Sequence, residues 1–181
     1  MIKQLMLSLG FLMLSGCGGI QVPTQEQQCA SLRRNVTAAQ TGFSGLKNGP
    51  YVDRSGNREF RVEPALDSWE RCRIIENPDK RRSTLRCDTS FPRGAFQTAL
   101  DQHKYLIDSI RQCVVFGSEN STYDRSSGDA ARETTFQLVQ SRNELYLVEI
   151  QAELVLYSTS SGGGSREYLS IKATRSFLPS K

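Results

Sequence analysis

One histidine, His103, occurs among the 181 residues. The chain therefore cannot assemble a multi-histidine metal centre alone, and a histidine-based triad would have to use that residue. His103 shares a helical stripe with Phe96, Leu100, Ile107, Ile110 and Val114, where a hydrogen-bonded core imidazole is expected before a general base. Asp101 and Asp108, two residues before it and five after, fall off that stripe. Ser44-Gly45-Leu46-Lys47 fits the S-x-x-K nucleophile pattern of penicillin-binding enzymes, but neither S-D-N nor K-T-G accompanies it and the reading is rejected. No cofactor motif and no metal-ligand spacing stands out, so no cofactor and no metal are expected, and neither is enzymatic activity.

The cysteines are more informative. Cys17 follows Lys3 and an apolar run from Leu5 to Leu14, which is too short for the roughly 20 residues that a helix needs to cross a bilayer. Leu14-Ser15-Gly16-Cys17 resembles the lipobox of bacterial lipoproteins, whose cysteine is cleaved free and acylated. The resemblance covers these first residues only. It implies a signal peptide at 1–16, a lipidated tether at 17–23 beginning with palmitate-type acylation of Cys17, and one domain at 24–181. With Gly18 rather than aspartate after the cysteine, it also implies anchoring in the outer membrane on the periplasmic side. Each buried CH₂ contributes about 0.8 kcal/mol, so two or three acyl chains hold a protein stably.

Four cysteines remain, an even number that reads as two disulfides in an oxidising compartment. Trp69 to Glu76 and Ser83 to Phe91 flank the turn signal Asn77-Pro78-Asp79-Lys80 and read as a hairpin. Pairing Ile74 with Leu85 sets Cys72 opposite Cys87, close enough to bridge in a non-hydrogen-bonded pair. That leaves Cys29 with Cys113. A zinc site is disfavoured because no close C-x-x-C pair exists.

The same register makes a charge argument. Arg71 faces Asp88, but Arg73 faces Arg86 on the same surface, with Arg81 and Arg82 near the hairpin tip. Like charges directly opposite destabilise a sheet by about tenths of a kcal/mol, and an anionic partner would relieve that. Arg71, Arg73, Arg81, Arg82 and Arg86, with Trp69 beside them, are therefore the candidate binding residues. The formal charge of +4 is too mild for a nucleic-acid protein, and none is expected as partner. The sequons at Asn35 and Asn120 are read as accidental in a bacterial lipoprotein.

These side chains must be carried by a recognisable order of elements. Thr24 and Gln27 make a capping-box start to a first helix ending near Gly42, followed by turn chemistry and a strand alternating around Phe60 and Val62. After the hairpin, Pro92 precedes the strongest helix, which carries the His103 stripe widened by Ala99, Leu106 and Cys113. A polar loop is expected from Gly117 to Arg132, then strands around Phe136 and Leu138, from Tyr146 to Leu156, and through Leu169, Ile171, Ala173 and Phe177. Ser158 to Ser165, with three consecutive glycines, reads as the connecting loop. The fold class is α+β: an antiparallel sheet covered by two helices, with a candidate tandem αβββ–αβββ arrangement in halves 24–90 and 91–181. A shift of 76 residues lays Phe60 on Phe136. The functional expectation is a protein-binding module of the envelope, acting as an immunity or inhibitor protein or as an assembly factor. The rival is a small-ligand carrier or enzyme with a pocket at His103.

Overall fold

The computed structural model describes residues 24–47, 49–62, 69, 71–126, 129–138, 146–157 and 164–175. The lipobox, Cys17, the tether, Phe177 and residues 158–163 of the glycine-rich loop lie outside the described residues.

Thr24 caps the first helix, α1 (Gln25–Ala39): its hydroxyl accepts from the Gln27 backbone N–H while the Gln27 side chain accepts from the Thr24 N–H. This reciprocal pair satisfies donors that a helix start leaves open. At the helix end Gly42 takes φ +62°, and a Cβ there would meet the Tyr146 hydroxyl at 2.8 Å. Two short strands, β1 (Val52–Arg54) and β2 (Asn57–Arg61), follow as a hairpin whose tip residues Ser55 and Gly56 both have positive φ. The next hairpin joins β3 (Arg71–Asn77) to β4 (Arg82–Phe91), and Asn77 Oδ1 accepts the Lys80 N–H to hold the turn.

Helix α2 (Phe96–Cys113) buries Ala99, His103, Leu106, Ile107, Ile110 and Cys113. Phe96, placed on the apolar stripe from its spacing, opens the helix and is 51% exposed; the buried face begins at Ala99. The remaining strands are β5 (Ser118–Ser126), β6 (Asp129–Gln137), β7 (Tyr146–Tyr157) and β8 (Gly164–Arg175). The expected polar loop from Gly117 to Arg132 is instead most of the β5–β6 hairpin. Its Thr and Tyr residues suit a strand, yet an edge hairpin needs no apolar alternation, which is the pattern that marks a half-buried strand in a sequence.

All pairings are antiparallel, in the order β1-β2-β3-β4-β8-β7-β6-β5. Among the described residues each half thus contributes one helix and four strands, not three; β1 and β5 are the strands absent from the expected order. The two meanders meet at β4 and β8. A row of side chains crosses the sheet through registered neighbours: Phe60, Ile74, Leu85, Ile171, Ile150 and Phe136. The last five are at most 2% exposed and form the centre of the core. Helices α1 and α2 pack on each other and on that face, against β7 and β8, and their ends are tied by the Cys29–Cys113 disulfide. Cys72 and Cys87 pair directly across β3 and β4 and form the second bridge. No described helix is long and apolar enough to cross a membrane.

Candidate functional site

Alternation in a strand sends successive side chains to opposite faces. With Ile74, Leu85 and Cys87 under the helices, Arg73 and Arg86 must stand on the other face. There Arg61 pairs with Arg73 and Arg73 with Arg86, so three guanidinium side chains occupy one rung across β2, β3 and β4. Directly opposed residues have Cα atoms only about 4.5–5.5 Å apart.

Around this rung a groove of about 760 Å³ is lined by Arg54, Arg61, Arg71, Arg73, Arg86 and Arg166, with Glu59, Asp88 and Tyr168 among the other wall residues. Among the described residues, six arginines thus meet two carboxylates. Arg71 donates to Asp88 at 2.9 Å, and Glu59 lies 3.7 Å from Arg73 and 4.0 Å from Arg54. Arg86 is held differently: its guanidinium carbon sits 4.2 Å from the centre of the Tyr168 ring, and its Nε makes no hydrogen bond within the protein. Stacking on an aromatic face fixes a guanidinium while leaving its edge donors open to an anion. The Arg73 Nε is likewise buried without a hydrogen-bond partner.

The expected residues divide. Arg71, Arg73 and Arg86 are brought together in the groove, whereas Arg81 and Arg82 are not. Arg81 is in the β3–β4 turn with φ +49°, and Arg82 lines a separate groove of about 370 Å³. Trp69, grouped with the candidate binding residues, is 8% exposed and belongs to the core, so it is withdrawn as a contact residue. Arg54, Arg61, Arg166 and Tyr168 are additional wall residues. Arg61 was legible as the polar side of the Phe60–Val62 alternation. Arg166 and Tyr168 arrive through the pairing of β4 with β8, which no local pattern announces.

The other singled-out groups have structural partners. His103 is buried on α2 with its Nδ1 3.2 Å from Glu167 Oε1, and Glu167 on β8 is fully buried. Burial pushes the Glu167 carboxyl above its ordinary value, against the opposing pull of His103. His103 also borders a cleft of about 510 Å³ between α2 and the β5–β6 hairpin; Asp101 lines it, and Asp108 does not. Lys47 of the S-x-x-K match forms an ion pair with Glu76 on β3, and Ser44 lies in an exposed 3-10 turn (Ser44–Leu46). No group of three or more potential metal ligands occurs among the described residues.

Fold and groove together define a disulfide-stapled α+β sheet protein with a cationic groove on its helix-free face. No protein-family model matches the chain, and no curated protein matches it.

Proposed function

We propose that this chain is a lipoprotein anchored through Cys17 at the periplasmic face of the bacterial outer membrane, and that its domain is a non-enzymatic module binding another envelope protein. The observation that carries the binding half is the Arg61–Arg73–Arg86 rung. Three cations side by side oppose folding slightly, and an acidic surface laid on the groove would turn that repulsion into attraction. The lipobox resemblance at Leu14 to Cys17 supports the anchor, and two disulfides suit an oxidising compartment. A rigid, bridged domain with such a face fits an immunity or inhibitor protein that blocks a periplasmic enzyme, or an assembly factor.

In-cell crosslinking with the lipidated chain as bait, against an Arg73→Glu/Arg86→Glu control, tests the reading. The expected result is one abundant envelope partner that disappears in the control. A partner retained in the control would refute the location, and no enriched partner would refute the module. The cleft at His103 favours a second reading, a small-ligand carrier or periplasmic enzyme. A small molecule co-purifying in native mass spectra and lost in Thr134→Trp, which fills that cleft, would support it.

A further inference from the structure

The two halves of the sheet carry the same registers. Phe60 pairs with Ile74 in the first half and Phe136 with Ile150 in the second, both residues displaced by 76 positions. Ile74 then pairs with Leu85, and Ile150 with Ile171. Where the halves meet, Leu85 pairs with Ile171, its own counterpart, so that pair marks a two-fold axis through the sheet. The neighbouring pairs obey it: Thr84 with Lys172 and Arg86 with Ser170 are exchanged by the same rotation.

This rotation carries the arginine groove onto the second groove of the open face. Arg61, Arg73, Arg86 and Asp88 fall on Gln137, Glu149, Lys172 and Thr174, and Tyr168 falls on Arg82; all five counterparts line the smaller groove of about 370 Å³. The chemistry differs at the central pair. Lys172 donates to Glu149 at 3.1 Å, a neutralised pair, where the first half has Arg73 against Arg86. The fold therefore accepts a cation and a carboxylate at these positions, and nothing in the backbone requires two arginines there.

We propose that the chain is a fused pair of αββββ units, and that the arginine groove is the altered copy, adapted to take carboxylate side chains of an acidic protein segment in the place that Glu149 fills in its twin. This rests on the reading of that groove as the contact surface. The missing carboxylate comes from the partner: Arg86, steadied on Tyr168, faces it with a guanidinium whose Nε has no partner within the fold, and Arg73 and Arg61 hold further acidic groups along the rung. Guanidinium and carboxylate match in a two-pronged geometry that a lysine cannot reproduce, which accounts for arginine on this side and lysine in the twin.

Transplanting the twin's pair tests this directly. The full chain, purified in detergent micelles, is titrated with a labelled hexaglutamate peptide at low salt, as wild type and as Arg73→Glu/Arg86→Lys. The expected result is binding by wild type, at least a tenfold loss in the variant, and a Tm at or above that of wild type, because the variant now sets a carboxylate against a cation at the centre of its own rung. Arg73→Gln/Arg86→Gln is expected to lose binding in the same way and guards against a charge-swap variant that fails to fold. Undiminished hexaglutamate binding in either folded variant would overturn the proposal. So would a lower Tm in both, or displacement of the peptide by equimolar inorganic phosphate, which would mark a phosphate site. If hexaglutamate does not bind but the in-cell partner is still lost in Arg73→Glu/Arg86→Glu, this inference falls and the contact surface stands. If the partner survives that control, both fall.

Discussion

Removing the two disulfides separately is expected to rank them by the length of chain each closes. Cys29 and Cys113 are 84 residues apart, and Cys72 and Cys87 are 15 apart. In the chain-entropy model these closures restrict the unfolded chain by about 4.6 and about 3 kcal/mol. All four cysteines contact the core: Cys72, Cys87 and Cys113 are buried, and Cys29 is half-buried against it. Alanine at both ends of either bridge therefore costs similar packing, and the difference between variants isolates loop closure. Urea unfolding followed by circular dichroism should place Cys29→Ala/Cys113→Ala about 1.5 kcal/mol below Cys72→Ala/Cys87→Ala. Full reduction should cost about 7–8 kcal/mol, comparable to the whole stability of an ordinary domain at about 5–15 kcal/mol, so a chain held in a reducing compartment should be largely unfolded. The reverse ranking, or a reduced chain with an unchanged midpoint, would refute the claim that the bridges carry the fold.

Glu167→Gln should flatten one component of the stability-pH curve. The Glu167 carboxyl is raised by burial, so between its unfolded and folded values the native state binds more protons, and stability falls as pH rises through that window. Subtracting the Gln variant's curve should reveal this slope, at most about 1.4 kcal/mol per pH unit; parallel curves would contradict it. Gly42→Ala should lower the Tm, because L residues strain at φ +62° and the added methyl meets the Tyr146 hydroxyl; an unchanged Tm would show that Tyr146 swings aside freely. Cys17→Ser should abolish labelling by radioactive palmitate and move the protein to the soluble fraction, and labelling that persists would remove the lipid anchor from the account.

What could be read from the sequence follows from how local each signal is. The β3–β4 register was legible because a turn, two alternating runs and two cysteines agree within about twenty residues, and Cys72–Cys87 and Arg73–Arg86 followed from it. The capping box of α1 and the His103 stripe were legible for the same reason. The β5–β6 hairpin was not: Ser118 to Gln137 lacks apolar alternation over most of its length, and only its pairing with β7 reveals a strand. Glu167 shows the same limit. On a strand it reads as a solvated charge between Arg166 and Tyr168, and only α2 overhead makes it the fully buried partner of His103. Trp69 was misplaced because an aromatic beside an arginine strip suggests a contact, whereas its neighbours in space are core residues. The groove is legible by halves: its β3–β4 wall is local, and its β8 wall depends on the long-range joining of the two meanders.

The most direct measurement puts a photoreactive p-benzoyl-phenylalanine at position 61, in the arginine rung, and in a second strain at position 137, its counterpart in the neutralised groove. Irradiating living cells that carry the otherwise unaltered chain should give one discrete higher-mass adduct from position 61 and none from position 137. Adducts of equal yield from both positions, or none from position 61, would contradict the assignment of the arginine groove as the partner-binding surface.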